Sequence, residues 1–420
     1  MGTMLLNSLL DDLQKLHPKY IDLSLKRITK LLEKLGNPQL NLPPTIHIAG
    51  TNGKGSTLSF IEKILQKNDY KVHSYISPHL VHMRERFILA NKMISKKKLY
   101  NTLLHVKKIN NSEPITFFEI TTAAALLLFS KVNADFLILE TGLGGRLDAT
   151  NVVSKKILNV ITPISLDHRE FLSNNIFKIT NEKLGIINTK EMTIIGNQKK
   201  EVITHIKKKL INNKKLIYNK DFKIIKTSKK YFTLSNKKKL SKFNLPSLLG
   251  DYQIENAAVA IAAVYELKKL GFKIHNKKIN KALTKTIWPA RLEKFNYKNI
   301  SCYLDGSHNI GGSEELRKFI KKNNKKTWII LGMLKNKDLN NFLKILKTNI
   351  YGIIAIEIPN EKNSYTKEDI KLICDKLKIK CVEKNNIKES IQFLSKIIKP
   401  QQIIITGSLY LAGQVRGLLI

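Results

Sequence analysis

Acid is scarce in this 420-residue chain: 33 Asp and Glu stand against 73 Lys and Arg, for a formal net charge of +40. Cysteine is scarcer still. Cys302, Cys374 and Cys381 make neither a disulfide framework nor a metal-binding pattern, and they fit a reduced, cytoplasmic compartment. No apolar run reaches membrane-spanning length. The nearest, residues 120–130, is short, carries two threonines near its start, and predicts a buried helix. Residues 1–10 have no basic leader, and Asp11 and Asp12 follow at once, which argues against a secretory signal. Gly2 is a poor myristoylation site, because Leu6 occupies the position where Ser or Thr is wanted. Gly311-Gly312 and Gly407 do not form a dinucleotide fingerprint, and no internal repeat or low-complexity tail is visible.

The excess charge could point to nucleic acid. It is mostly lysine, however, spread over nearly the whole chain with many Asn and Ile residues, a profile that AT-rich codon usage also produces. The runs Lys96-Lys97-Lys98, Lys207-Lys208-Lys209 and Lys237-Lys238-Lys239 have no aromatic or arginine interleaving. A solvated basic surface is the reading, with no specific nucleic-acid or membrane partner. Such a field still attracts anionic substrates.

What the chain does have is the segment His47-Ile48-Ala49-Gly50-Thr51-Asn52-Gly53-Lys54-Gly55-Ser56-Thr57. An apolar strand pattern, Thr45–Ala49, precedes it and a helical pattern over 58–67 follows. Strand, glycine loop and helix are what a phosphate cradle needs. Glycines admit close approach of backbone N–H groups to an anion, and the helix N-terminus adds positive potential. Lys54 can reach outer phosphates, and Ser56 or Thr57 can hold Mg²⁺. Ile48 stands where the commonest phosphate loop has its first glycine. A purely structural glycine turn is the alternative.

The length predicts two domains. In the first, strand patterns at Thr45–Ala49, 71–77, Phe136–Glu140, 157–161 and Met192–Ile195 alternate with helical ones such as Phe117–Lys131. This is an α/β fold with a mostly parallel, phosphate-loop-type sheet flanked by helices. Residues 199–242 are rich in Lys and Asn and predict a small antiparallel insertion. An alanine-rich helix over 252–268 follows, and 287–296, with Trp288-Pro289, reads as a hinge. Strands at 302–305, 328–331, 352–358, 380–383 and 403–406 then predict a smaller, Rossmann-like C-terminal α/β domain. The expected division is 1–290 and 291–420.

Several polar motifs sit where strands end, which is where open parallel sheets bind ligands. They are Ser77-Pro78-His79-Leu80, the stretch from Glu140 to Asn151 with Gly142, Gly144 and Gly145, and Thr162-Pro163-Ile164-Ser165-Leu166-Asp167-His168. Glu140 ends an apolar run, an odd core residue but a good oxygen ligand for Mg²⁺. A carboxylate satisfied by the neighbouring glycine-loop amides is an equal alternative.

Together these motifs resemble the bacterial dihydrofolate synthase/folylpolyglutamate synthase family, within the Mur ligase superfamily of ATP-dependent amide ligases. Ile21-Asp22-Leu23-Ser24-Leu25-Lys26-Arg27 is similar to the family's N-terminal signature, and Thr116-Phe117-Phe118-Glu119 to its substrate segment. Further matches are Glu182-Lys183-Leu184-Gly185-Ile186, Tyr252-Gln253-Ile254-Glu255-Asn256, Trp288-Pro289-Ala290-Arg291 and Asp305-Gly306-Ser307-His308-Asn309.

The resemblance implies roles. Gly53, Lys54, Gly55 and Ser56 hold the triphosphate of ATP, with Asn256, Arg291, Asp305 and His308 as further ATP contacts. Ser56, Ser77, Glu140 and His168 hold Mg²⁺, and K⁺ is an optional addition. Lys54, His168 and Lys183 are the catalytic set, with Lys183 carbamylated. Asp22, Leu23, Ser24, Leu25, Thr116, Phe117, Phe118, Glu119 and Leu147 line the pterin or folate site. Without the resemblance, Lys183 is one more solvated lysine, His168 a loop histidine, Asp22 a helix start, and Phe117 and Phe118 core. Ser24 and Ala290 stand where the family commonly carries glycine, and Ala290 is expected to stiffen the hinge.

The implied activity is addition of L-glutamate to dihydropteroate and to the γ-carboxylate of reduced folates, through an acyl phosphate, by a monomeric enzyme that closes its domains to exclude water. A cell-wall Mur ligase is the nearest alternative, but with the phosphate loop starting at residue 50 no UDP-binding domain fits before it.

Overall fold

The computed structural model describes all residues except Met1, Tyr20, Lys238, Lys298, Asn299, Lys399, Pro400 and Ile420. The middle lysine of the run at 237–239 therefore lies outside the described residues. The chain divides into two compact units. The first comprises Met1–Ile164, Glu170–Pro246 and Glu255–Thr286; the second comprises Ser165–Arg169, Ser247–Ile254 and Ile287–Ile420.

The first unit is built on an eight-stranded sheet. Its strands are β1 (Thr45–Ala49), β2 (Val72–Tyr75), β3 (Phe87–Leu89), β4 (Lys92–Met93), β5 (Phe136–Glu140), β6 (Leu158–Ile161), β7 (Met192–Ile195) and β8 (Lys215–Ile217), in the order β4-β3-β2-β5-β1-β6-β7-β8. From β2 to β8 neighbours run parallel, and β3 and β4 add an antiparallel edge. Every residue of β1 and β5 is buried, as expected of parallel strands covered on both faces. That explains the apolar run Phe136–Leu139 of β5 and the apolar Ile46, Ile48 and Ala49 of β1, which also buries Thr45 and His47. The helix Phe117–Lys131 is buried almost all round and belongs to the core, together with residues such as Leu13, Ile28, Leu99 and Leu103.

From β1 the chain passes to β2, returns through β5, and then crosses to β6 on the other side of β1. Strand order thus reverses beside β1. The carboxyl ends of β1, β5 and β6 carry the three polar loops, at the switch point where α/β sheets bind ligands.

The predicted insertion is smaller than 199–242. Lys200–Lys209 is a helix with Val202 and Ile206 buried at i and i+4, and β8 is a parallel strand of the main sheet. Lysines on the outer face of that helix dilute the apolar signal. Only β9 (Phe222–Thr227), β10 (Tyr231–Asn236) and β11 (Lys239–Asn244) form the antiparallel sheet, in the order β11-β10-β9. The helix after the glycine loop starts at Lys54, earlier than the apolar pattern at 58 suggests, because its first turn is glycine and hydroxyl residues.

The second unit has a six-stranded sheet of β12 (Glu293–Tyr297), β13 (Ile300–Leu304), β14 (Thr327–Leu331), β15 (Gly352–Ala355), β16 (Cys381–Glu383) and β17 (Gln402–Thr406). The order is β12-β13-β17-β14-β15-β16, parallel except for edge strand β12. β12 occupies the last part of the predicted hinge, so only 287–292 lies outside regular structure there. None of the five β12 residues is fully buried and two are exposed, which kept the strand from reading as one.

Candidate active site

In the first unit, register fixes the core of the site. Glu140, the last residue of β5, pairs with Ile48 of β1, two residues before Gly50. Gly50 has φ +151°, and a Cβ there would lie 1.9 Å from Thr162 Oγ1. Gly53 precedes the helix at φ +82°, and a Cβ there would lie 2.6 Å from Asn256 Oδ1. Both positions therefore demand glycine. Thr51 and Asn52 donate their amides to Pro163 O at 2.9 and 3.1 Å, which pins the loop to the end of β6. The first-turn amides of the helix Lys54–Lys67, those of Lys54, Gly55 and Ser56 among them, lie where a helix leaves N–H groups without intrahelical partners. Lys54 folds back over the loop and donates from Nζ to Gly50 O and Thr51 O, both at 3.3 Å.

Lys183 is not a solvated lysine. It is 5% exposed, and its Nζ donates to Gly50 O at 2.8 Å across 133 positions of sequence. Glu140 is equally buried, and its Oε2 accepts the Ser77 amide at 3.3 Å. Ser77 Oγ is enclosed with no hydrogen-bond partner. A carboxylate and an orphaned hydroxyl beside the phosphate loop are hard oxygen donors and fit Mg²⁺. Among the described residues no three His, Cys, Asp or Glu side chains gather as a metal cage.

Asp148 organises the glycine loop after β5. Its Oδ2 accepts the Leu143 amide at 2.8 Å and its Oδ1 the Thr150 amide at 3.0 Å. Thr150 Oγ1 also bonds Asp148 and lies 2.8 Å from His47 Nε2. Burial pushes the Asp148 carboxyl up, against these hydrogen bonds. The loop then meets the substrate segment: a Cβ on Gly142 would lie 2.7 Å from the Phe118 ring. Phe118 in turn stacks on Tyr75 at 6.0 Å. Phe117 is buried, with the Arg86 guanidinium 5.9 Å from its ring centroid. Arg86 Nε donates to His79 Nδ1 at 3.0 Å, and burial, then Arg86, lower His79 to about 4, so its imidazole is neutral.

The N-terminal signature joins this face through Arg27, which sequence reasoning quoted but gave no role. Its guanidinium donates to Asp22 Oδ2 at 2.8 Å, Asp22 O at 2.7 Å and Glu119 Oε2 at 3.0 Å. Glu119 Oε2 also accepts the Thr116 amide and hydroxyl, closing a capping box at the start of the helix. Glu119 Oε1 is buried without a partner. Leu23, Ser24, Leu25 and Leu147 are half-buried, and Ser24 Oγ accepts the Lys26 amide.

In the second unit Asp305 is fully buried, and its two oxygens accept the Leu292 and Ser307 amides, each at 2.9 Å. Arg291 Nη1 donates to Ala290 O at 2.9 Å. Ala290 has φ +55°, the left-handed conformation that favours glycine. His168 belongs to this unit, at φ +49°. Its neighbour Asp167 is the local hub. Lys337 Nζ lies 2.6 Å from Oδ1, Asn309 Nδ2 3.0 Å from Oδ2, and His308 Nε2 3.6 Å from Oδ2. Burial opposes charge on Asp167, but His308, His168 and Lys337 outweigh it and hold the carboxyl well below its usual range. Neither Asp167 nor Lys337 was singled out from sequence, because each is one charge among many until the fold pairs them.

A phosphate loop on the central strand of a parallel sheet, with a buried lysine and an oxygen pair beside it, defines a nucleotide-dependent enzyme of the Mur ligase kind. The model of the Mur ligase middle domain matches residues 48–264, and that of the dihydrofolate synthetase C-terminal domain matches residues 289–418. The dihydrofolate synthetase of Saccharomyces cerevisiae is 32% identical, over 94% of this chain and 97% of that one. The dihydrofolate synthase/folylpolyglutamate synthase of Bacillus subtilis is also 32% identical, over 93% and 94%. The structure of Escherichia coli FolC in complex with DHPP and ADP superposes with a TM-score of 0.89 at 27% identity, covering 99% of this chain and 97% of that one. The chain belongs to the dihydrofolate synthase/folylpolyglutamate synthase family.

Proposed function

We propose that this ligase joins L-glutamate to dihydropteroate, giving dihydrofolate, and to the γ-carboxylate of reduced folates, at the expense of ATP. The observation that carries the reading is the register of β5 on β1, which sets Glu140 level with the entry to the glycine loop. The Arg27 bridge between Asp22 and Glu119 supports a substrate surface in the same unit. The E. coli relative was solved with ADP and DHPP, which favours the same ligand classes here.

A carboxylate is a poor electrophile, because oxide would have to leave. Transfer of the γ-phosphoryl group to the acceptor carboxylate gives an acyl phosphate, which the amino group of glutamate attacks with release of phosphate. The protein's part is positioning and charge neutralisation. Lys54 and the first-turn amides of its helix neutralise the phosphates. Ser56, Ser77, Glu140 and His168 are the proposed holders of Mg²⁺, which when bound offsets charge on the phosphates. Asn256, Arg291, Asp305 and His308 are the proposed further contacts of ATP. The apolar residues Leu23, Leu25, Phe117, Phe118 and Leu147 are proposed to line the pterin site with Asp22, Ser24, Thr116 and Glu119. Lys183 is proposed to carry a carbamate. Its closed position against Gly50 suits a group that serves the loop, and intact mass under mild conditions tests it. Division near residue 290, a monomeric state and a cytoplasmic location complete the proposal.

Phosphate release from ATP with Mg²⁺ and L-glutamate decides the acceptor. Release that depends on dihydropteroate establishes dihydrofolate synthesis, and release with a reduced folate adds tail extension. The relatives' names differ on this point, so both acceptors are measured. Folded protein that binds ATP but turns over with neither acceptor would overturn the assignment.

A further inference from the structure

We propose that the groove between the helices Lys96–Asn110 and Phe117–Lys131 binds a small organic dianion, such as a phosphomonoester with an apolar body. The cavity there has a volume of about 410 Å³, within the range of small-molecule sites. Lys97, Lys98 and His105 line it from the first helix and Lys131 from the end of the second, and no carboxylate does. Lys98 and His105 are seven positions apart and share one helix face. Among the described residues, none of Lys97, Lys98 and Lys131 is in an ion pair with an acid, unlike Lys107 on the first helix, which pairs with Asp12 at 2.7 Å. Like charges gathered at one cavity repel, and a bound dianion removes that repulsion. Ser95, Asn101 and Thr102 add neutral hydrogen-bonding groups, and the nearly buried Leu127 and Leu128 form the apolar floor, which suits a ligand that is more than a bare ion.

None of the lining residues belongs to the phosphate loop, and the site is remote from the substrate segment. The second helix has 15 residues, and its Phe117 end carries the substrate segment. At about 1.5 Å of rise per residue, its Lys131 end is roughly 20 Å away. Two of the three lysines in the run 96–98 therefore face a cavity, whereas the run 207–209 lies on the outside of its helix. That second run supplies a charge-matched control.

The test is calorimetric titration of phenyl phosphate into the full chain, with ADP and Mg²⁺ present to fill the phosphate loop. Three proteins are compared: wild type, Lys98→Gln/Lys131→Gln and Lys207→Gln/Lys208→Gln. The expected result is one saturable equivalent, weakened at least tenfold in the first double variant and within twofold of wild type in the second. Single Lys97→Gln, at an exposed position, serves if the first double variant does not fold, with a loss of threefold or more expected. Absence of saturation in the wild type overturns the proposal. So does equal weakening in both double variants, which would assign binding to the overall field, or no weakening in the cavity variants, which would place it elsewhere.

Discussion

Asp148 is buried and the Asp167 side chain is only 9% exposed, both in loops that follow parallel strands, yet their ionisation moves in opposite directions. Burial pushes Asp148 up, and only the neutral donors of Thr150, Leu143 and Gly142 answer it. Burial weighs on Asp167 too, but His308, His168 and Lys337 reverse the sign. Depth alone does not set the charge of a buried acid; the charge of its partners does. One carboxylate is a hydrogen-bond organiser of backbone, and the other is the anionic centre of a cationic shell.

Neutralising the second is the strongest way to break the contrast. Asp167→Asn leaves Lys337, whose side chain is 10% exposed, beside an uncharged amide. The expected loss is about 3–5 kcal/mol in urea denaturation at neutral pH. Because the folded Asp167 is held low, its contribution is present above the ordinary carboxylate range and is lost as pH falls through its folded value. The gap between wild type and variant should therefore close on acidification. In Asp148→Asn the amide keeps one acceptor oxygen for the backbone donors of Leu143, Thr150 and Gly142, and a loss of about 1–3 kcal/mol is expected. A loss at Asp148 as large as at Asp167 would erase the distinction.

Glu62 sharpens it as a third case. Its half-buried carboxyl, which accepts from Ser74 Oγ at 2.9 Å, is raised to about 7, chiefly by desolvation. The folded state then binds a proton that the unfolded chain releases near the ordinary glutamate value of 4.5, so wild-type stability falls as pH rises from there to about 7 and stays level above. Glu62→Gln removes that dependence. Its melting temperature relative to wild type should rise across this window, by an amount worth about 1–2 kcal/mol. A flat difference would place Glu62 with the charge-compensated acids instead. The smallest effect concerns backbone. The first unit meets φ +82° with Gly53, whereas the second meets φ +55° with Ala290. Ala290→Gly should relieve left-handed strain and stabilise by about 0.5–1 kcal/mol in the same denaturation assay, offset in part by unfolded-chain entropy.

Much of the site was legible before the fold. Strand, glycine loop and helix appear at β1 because apolar, glycine and hydroxyl residues sit at local spacings with local consequences. Lysine bias hid the helix Lys200–Lys209, whose buried pair Val202 and Ile206 is outnumbered by charge. Exposed residues hid β12 in the same way. Arg27, Asp148, Asp167 and Lys337 stood inside or near the motifs, yet nothing local marks a charged residue as a bridge.

Sequence by itself determined the two α/β sheets, the phosphate loop and the family, since burial on both faces of parallel strands and the φ demands of tight loops are written at spacings of a few residues. Tertiary structure alone decided the partners: Arg27 with Glu119 across 92 positions, Lys183 with Gly50 across 133, and Asp167 with Lys337 across 170. Such pairs depend on which loops packing brings together, and on how far burial strengthens each charge, and no periodicity encodes either.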